Sequence, residues 1–172
     1  MPYRNDRKTI NFRGYILVII GYMKFIADKM LGKLAKLLRI LGFDTLYYKD
    51  ISLGELLGIG IEERRVILTR RAIIEKEDGE YIYFFITDNN PKRQLKEVLN
   101  GLDLKINPEI AFTRCVQCNR KLTKMERKHV KGSVPDYIFE THRDFSYCVF
   151  CGKVFWKGTH YENMLRSLEW FS

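Results

Sequence analysis

The sequence predicts an α/β protein in which a parallel sheet is flanked by helices and followed by a small C-terminal zinc ribbon. Strand-like and helix-like segments alternate four times between residues 24 and 99, which is the pattern of parallel strands joined by crossover helices. This alternation stops near residue 110. All four cysteines of the chain lie beyond that point, in two C-x-x-C pairs.

The first strand–helix unit begins at residue 24. Residues 24–28 are predicted to form a short strand that ends on the carboxylate of Asp28. Apolar residues then recur at helical spacing until Gly42 ends the helix, with basic residues between them. A second strand is predicted at residues 44–48.

The remaining units follow the same order. A helix over residues 52–63, weakened by three glycines, leads to a third strand at 65–69 and a short helix from about Ala72. Residues 81–86 form a continuous apolar strand suited to burial on both faces. A helix opened by Asp88 and Pro91 ends the series. No Gly-rich phosphate loop follows any of these strands, which argues against the usual nucleotide-binding folds.

The net charge of the chain is +9 and it is unevenly distributed. Residues 1–22 carry +3, residues 23–109 are close to neutral, and residues 110–172 carry +5. A basic excess of this kind indicates a surface that meets a polyanion, and nucleic acid is the commonest such partner. A basic surface that serves only solubility is the plainer interpretation of the same charge.

The apolar run at residues 16–20 is too short to span a bilayer, which needs about 20 residues. The residues after it form no convincing signal-peptide cleavage site. We therefore expect no membrane association and a cytoplasmic location. In a reducing compartment, two C-x-x-C pairs indicate a metal site and not disulfides.

The four cysteines Cys115, Cys118, Cys148 and Cys151 are predicted to bind one structural zinc ion. Each C-x-x-C turn supplies two thiolates, and four sulfur ligands fill the tetrahedral coordination of zinc. The long segment between the pairs predicts a hairpin with an inserted loop. His160 is the one plausible competing ligand, whereas His129 and His142 are expected on the surface of the loop.

Acidic side chains stand at the ends of the predicted parallel strands. Asp28, Asp50 and Asp88 each follow a strand, and Arg71 follows a fourth. The carboxyl ends of parallel strands meet at one edge of the sheet, where sites of this fold class lie. A lone aspartate at a strand end is also a common turn residue or helix cap.

The chain resembles the Mut-seven C-terminal ribonuclease domain, a PIN-like nuclease fold that carries a zinc ribbon. The stretches that carry the resemblance run from Met23 nearly to Met164. They are Lys24-Phe-Ile-Ala-Asp28, Met30-Leu-Gly-Lys-Leu-Ala-Lys-Leu-Leu-Arg39, Leu41-Gly-Phe-Asp-Thr-Leu-Tyr47, Arg65-Val-Ile-Leu-Thr-Arg70, Gln94-Leu-Lys-Glu-Val98, Arg114-Cys-Val-Gln-Cys-Asn119 and Cys151-Gly-Lys-Val-Phe-Trp-Lys-Gly-Thr-His160.

This resemblance implies cleavage of RNA at the carboxyl edge of the sheet, dependent on Mg²⁺ or Mn²⁺. Asp28 matches the first acidic residue of the family, Asp50 matches the acid after the second strand, and Asp88 is a weaker third candidate. The chain departs from the family at Leu53, where a further aspartate is usual, and at Arg71, which replaces the aspartate of Leu-Thr-Arg-Asp. A guanidinium at about 6 Å from a divalent ion is unfavourable by several kcal/mol relative to a carboxylate, unless Glu55, Glu75 or Asp78 compensates.

The resemblance divides the chain into three segments. Residues 1–22 lie outside it, as a disordered extension or the product of a start codon assigned too early. Residues 23–109 form the PIN-like domain, and residues 110–172 form the zinc ribbon and a terminal helix. Because the first strand–helix unit is complete from Lys24 onward, a chain that starts at Met23 is expected to keep its melting temperature. A clear fall on truncation would show that residues 16–20 pack as an extra strand.

Three functions remain open on the sequence: a metal-dependent ribonuclease, an RNA-binding protein with a degenerate nuclease site, and a zinc-stabilised adaptor for unknown protein partners. The first two differ in the acidic site alone. The adaptor would lack the salt-dependent affinity for RNA that phosphate contacts produce.

Overall fold

The computed structural model describes residues 23–72 and 81–158. These residues form two compact units. The first contains residues 23–38 and 43–106, and the second contains residues 39–42 and 107–158. The three-segment division of the chain at residues 23 and 110 stays a prediction.

The first unit is built on a four-stranded parallel sheet. Its strands are β1 (Lys24–Ala27), β2 (Asp44–Tyr47), β3 (Val66–Thr69) and β4 (Tyr83–Phe85). Their order in the sheet is β2-β1-β3-β4, and each neighbouring pair is parallel. The order places β1 and β3 at the centre, where all residues of β3 are buried. The predicted α/β class with a parallel sheet is confirmed.

Each helix of the first unit begins at a residue that caps it. Asp28 caps a short 3₁₀ turn that leads into α1 (Gly32–Ile40). Ser52 and Glu55 form a reciprocal capping box at the start of α2 (Leu53–Glu62). Asn90 caps α3 (Pro91–Gly101), whose first residue is proline. These caps supply acceptors for backbone N–H groups that have no partner within the helix.

One core cluster of the first unit lies between the sheet and α2. A cluster of buried side chains joins β1, β3 and β4 to α2 and consists of Ile26, Ile51, Leu56, Ile67 and Tyr83. Leu53 packs against the same cluster. Burial of a Leu or Ile side chain contributes about 1.5–3 kcal/mol relative to full exposure. Leu53, where the resemblance implies a further aspartate, is therefore an apolar packing position in this chain.

The second unit contains a three-stranded antiparallel sheet. Its strands β5 (Thr123–Met125), β6 (Phe145–Tyr147) and β7 (Val154–Trp156) lie in chain order. The segment between β5 and β6 carries a 3₁₀ turn and α4 (Asp136–Thr141), which confirms the predicted hairpin with an insertion. The insertion packs on the sheet through a small core of Val130, Val134 and Phe145.

Gly42, which the sequence predicts as the end of the first helix, occupies a position that only glycine fits. Its φ is +91°, and an added Cβ would lie 2.1 Å from the carbonyl oxygen of Ile110. Its amide donates to the carbonyl of Arg39 at 3.0 Å, which closes the helix.

No helix among the described residues is long and apolar enough to cross a membrane. Several predictions fall outside these residues, namely those for the extension 1–22, for Glu75 and Asp78, for His160 and for the terminal helix.

Candidate active site and metal centre

Asp28 is a fully buried carboxylate immediately after β1. Its Oδ1 accepts hydrogen bonds from the backbone N–H of Lys29 at 2.6 Å and from Nη2 of Arg71 at 2.6 Å. Its Oδ2 accepts from the hydroxyl of Thr69 at 2.7 Å. Both oxygens therefore have partners, as a buried carboxylate requires.

Arg71 reaches Asp28 from the end of the neighbouring strand and forms an ion pair with it. The Arg71 side chain is 18% exposed. The same Nη2 also donates to the carbonyl of Ile51 at 3.2 Å. The backbone N–H of Arg71 donates to the hydroxyl of Thr69 at 3.0 Å, so Thr69 orients both partners of the pair. Thr69 was not among the predicted site residues, although its place at the end of β3 could have indicated it.

Asp50 has a different environment from Asp28. It is exposed, and it lines a cavity of about 450 Å³ with Glu55 and Glu62 of α2. Glu55 is engaged in the capping box, and its hydrogen bonds with the side chain and backbone of Ser52 lower the pKa of Glu55. The catalytic role of Asp50 stays a prediction.

Asp88 is part of the N-terminal cap of α3. Its Oδ1 accepts from the backbone N–H of Asn90 at 2.7 Å, and Arg93 forms an ion pair with it at 3.0 Å. The backbone hydrogen bond from Asn90 lowers the pKa of Asp88; burial opposes this shift, and the charge of Arg93 adds to it. Glu97 reaches back from α3 to accept from the backbone of Thr87 and Asp88. These contacts account for Asp88 as a capping residue.

Among the described residues, the predicted carboxylates do not converge as a group of three. Within residues 23–72 and 81–158, the four cysteines are the one group of three or more His, Cys, Asp or Glu side chains whose ligand atoms converge. Mg²⁺ is usually held by one or two carboxylates with space for water or phosphate oxygens. Asp28 instead holds the guanidinium of Arg71 at one oxygen and Thr69 at the other.

The four cysteine sulfurs do converge. All of them lie within 4.8 Å of one another, with Cys115 Sγ 3.6 Å from Cys151 Sγ and Cys118 Sγ 3.4 Å from Cys148 Sγ. Four sulfurs at about 2.3 Å from a tetrahedral ion would stand about 3.8 Å apart. No disulfide joins these cysteines. The donor set and its spacing fit a metal ion such as zinc.

The two cysteine turns have matching backbone geometry. The amide of Asn119 donates to the carbonyl of Cys115 at 2.9 Å, and the amide of Gly152 donates to the carbonyl of Cys148 at 2.8 Å. Both turns then pass through a left-handed residue, since φ is +65° at Asn119 and +70° at Gly152. Gly and Asn tolerate this conformation better than other residues.

A buried arginine supports the first cysteine turn. Arg39 is 4% exposed, and its Nη1 donates to the carbonyls of Val116 and Gln117 at 3.0 and 2.7 Å. These carbonyls belong to the residues between Cys115 and Cys118. The sequence pattern shows Arg39 only as a basic residue of an amphipathic helix. Its role at the cysteine turn could not be predicted, because its partners are 77 and 78 residues away in the sequence.

The local environment gives the thiols of this group different pKa values, raised for Cys115 and Cys118 and lowered for Cys148. Burial raises the pKa of Cys115 and raises the pKa of Cys118 to about 12. Burial also opposes ionisation of Cys148, but hydrogen bonds from the backbone of Cys151 and Phe150 outweigh it and lower the pKa of Cys148 to about 7. Metal binding to this group must therefore displace protons.

The described histidines lie apart from this group. His129 is exposed, as predicted. His142 is half-buried, with its ring centroid 6.3 Å from that of Trp156 in an edge contact. Trp156 packs against the small core of the ribbon. Because side chains alternate along β7, Phe155 lies on the opposite face of the sheet.

The family model for the Mut7-C RNAse domain matches residues 23–168. The chain belongs to this family. The match to this Mut7-C domain spans both the parallel sheet and the four-cysteine ribbon, and it supports a function of the ribonuclease type. No curated protein sequence matches the chain.

Proposed function

We propose that this Mut7-C domain binds RNA and cleaves it slowly in a reaction that depends on Mg²⁺ or Mn²⁺. Asp28 is the acid that carries the proposal, since it is fully buried at the carboxyl end of a central parallel strand. Asp50 is the second proposed acid, and Asp88 serves mainly as a cap. The cytoplasm is the proposed compartment because the four cysteines form no disulfide.

The Asp28–Arg71 pair is the observation that makes the proposed cleavage slow. A divalent ion at Asp28 would have to displace a guanidinium that is 2.6 Å away and largely buried. Opposite charges in a low-dielectric environment attract strongly, so this displacement costs free energy. The same pair favours the second candidate function, RNA binding without cleavage.

We propose that the zinc ribbon provides a surface that binds RNA. The second cysteine turn exposes Val149 and Phe150, which are 64% and 70% accessible. The guanidinium of Arg120 lies 5.3 Å from the centroid of the Phe150 ring. An exposed ring beside cations can stack on a nucleobase while the cations contact phosphates. Zinc is proposed to hold the two turns in the geometry that presents this ring.

Binding and cleavage of labelled RNA test the proposed function. The wild-type protein is expected to bind RNA in a salt-dependent manner and to cleave it at a low rate with Mn²⁺. Asp28→Asn is expected to abolish cleavage and keep binding. Cleavage without added metal, or cleavage that Asp28→Asn does not reduce, would contradict the proposed site. Absence of RNA binding by the wild type would refute the proposal as a whole.

Phe150→Ala is expected to weaken RNA binding about tenfold, because base–aromatic stacking contributes about 1–3 kcal/mol. The measurement is fluorescence anisotropy of a labelled single strand at fixed salt. Tyr137→Ala is the matched control, since Tyr137 on α4 is an equally exposed aromatic at 68%. Equal losses for both variants would show that neither ring is a specific stacking site.

A further inference from the structure

A cleft of about 500 Å³ on the first unit is lined by four cations, Lys29, Lys33, Lys36 and Arg70. The described residues that line it include no carboxylate. Tyr47, Asn89 and Gln94 add polar groups to its walls. We name these four cations and their cavity the basic cleft.

The topology places the basic cleft at the carboxyl edge of the parallel sheet. Lys29 directly follows Asp28 at the end of β1, and Tyr47 is the last residue of β2. Arg70 directly follows β3 and stands between Thr69 and Arg71. The cleft is therefore formed by residues adjacent in sequence to the Asp28–Arg71 pair, on the edge where ligands of this fold class bind.

The three lysines are arranged unfavourably for stability alone. Lys29, Lys33 and Lys36 follow one another at spacings of four and three residues, so they lie on one helical face and repel one another. The first turn of α1 has no acidic residue, and cations near a helix N-terminus also oppose the helix dipole. A bound phosphate would relieve both effects.

The wall of the cleft is held in place without a ligand. The hydroxyl of Tyr47 donates to the carbonyl of Lys29 at 3.0 Å. The ring of Tyr47 lies so close to Gly32 that an added Cβ would stand 2.7 Å from its Cζ atom. The glycine thus allows the ring to lie against the start of α1, where it forms a fixed aromatic surface between the lysines.

The charges of the first unit are separated between two cavities. The cavity that contains Asp50, Glu55 and Glu62 is lined by no cation among the described residues, and the basic cleft is lined by no acid. Residues 23–109 are close to neutral overall, so their net charge does not reveal that the acidic and basic side chains line different cavities. A polyanion would be attracted to the basic cleft.

We propose that the basic cleft binds the phosphodiester backbone of single-stranded RNA and holds a phosphate next to Asp28. Lys33 and Lys36 contact phosphates, and Tyr47 supplies the aromatic surface for a neighbouring base. This inference rests on the proposed function, namely that the protein binds RNA. It assigns the first unit its own RNA site in addition to the Phe150 surface of the ribbon.

The test is the salt dependence of RNA binding, measured by fluorescence anisotropy with a labelled single-stranded RNA. The double variant Lys33→Gln, Lys36→Gln is expected to bind about tenfold more weakly than the wild type. The slope of log affinity against log salt is expected to fall by about 1.4, because each lost contact with a single strand removes about 0.7. Without RNA, the melting temperature of this variant should stay the same or rise, since like-charge repulsion is removed.

The matched control is the double variant Lys24→Gln, Arg64→Gln. It removes the same charge at the amino ends of β1 and β3, where both residues are exposed. It is expected to keep the wild-type affinity and slope. An equal loss in both double variants would indicate a general effect of net charge and would overturn the proposed site.

Further outcomes separate this proposal from the proposed function. If the wild type binds RNA but Lys33→Gln, Lys36→Gln keeps its affinity and slope, the basic cleft is refuted while RNA binding by the protein stands. If the wild type binds no RNA, both proposals fail. Tighter binding of a duplex than of the single strand would overturn the single-strand assignment, whereas a DNA strand bound with the same slope would support phosphate contacts by the cleft.

Discussion

Removal of the metal is expected to unfold the second unit and leave the first unit folded. Among the described residues, the core cluster of the ribbon sheet has three buried side chains, Val130, Val134 and Phe145, which is little apolar area for three short strands. Structural zinc sites provide about 10–16 kcal/mol of binding free energy near neutral pH, and this energy is coupled to folding. The unit should therefore lose its structure in excess chelator or after Cys148→Ser.

Tryptophan fluorescence can follow this transition selectively. Both tryptophans of the chain, Trp156 and Trp170, belong to the C-terminal part of the sequence, and Trp156 packs against the ribbon core. The emission should shift to that of exposed tryptophan on chelation, while far-UV circular dichroism keeps the helical signal of the first unit. His129→Ala is the control and should retain one zinc per chain. Purified protein without zinc, or fluorescence insensitive to chelator, would show that the cysteine group is not a folding metal site.

Arg71→Asp is expected to raise Mn²⁺-dependent RNA cleavage about tenfold or more, which corresponds to about 1.4 kcal/mol or more in the activation barrier. The substitution removes the guanidinium that holds Asp28 and introduces the acid that the family resemblance implies at this position. Cleavage is measured with labelled RNA at saturating Mn²⁺. Adding Asp28→Asn to Arg71→Asp should remove the gain, because the gain depends on Asp28.

The stability of the same variant gives an independent measurement. Without metal, Arg71→Asp places a second carboxylate near a buried one, and it should destabilise the first unit by about 2–4 kcal/mol. Mn²⁺ should then raise the melting temperature of the variant but not that of the wild type, since a ligand that binds only the folded state stabilises it. Arg64→Asp makes the same charge change at the other end of β3, outside the ion pair and the basic cleft, and should not raise cleavage. If Arg71→Asp leaves both cleavage and the Mn²⁺ response unchanged, Arg71 is not the cause of low activity.

The sequence by itself determined the features that depend on local pattern. Hydrophobic periodicity and capping residues such as Ser52 and Asn90 define the strands and helices, because these signals act within one or two turns of the chain. The cysteine spacing defined the metal site for a similar reason, since each C-x-x-C turn is closed by its own backbone hydrogen bonds. The proximity of Asp28 and Arg71 could also be predicted from the sequence, because adjacent parallel strands bring their carboxyl ends to one edge of the sheet.

Only the tertiary structure decided which charged side chains share an environment. Arg39 supports a cysteine turn 77 residues away, Asp50 lies with Glu55 and Glu62, and Asp88 is held in a helix cap. The basic cleft joins residues from the ends of three strands. Which side chains come together depends on the length of each strand and on the direction in which each side chain points. The sequence pattern specifies neither of these quantities, because contacts between residues distant in sequence are determined by how whole helices and strands pack.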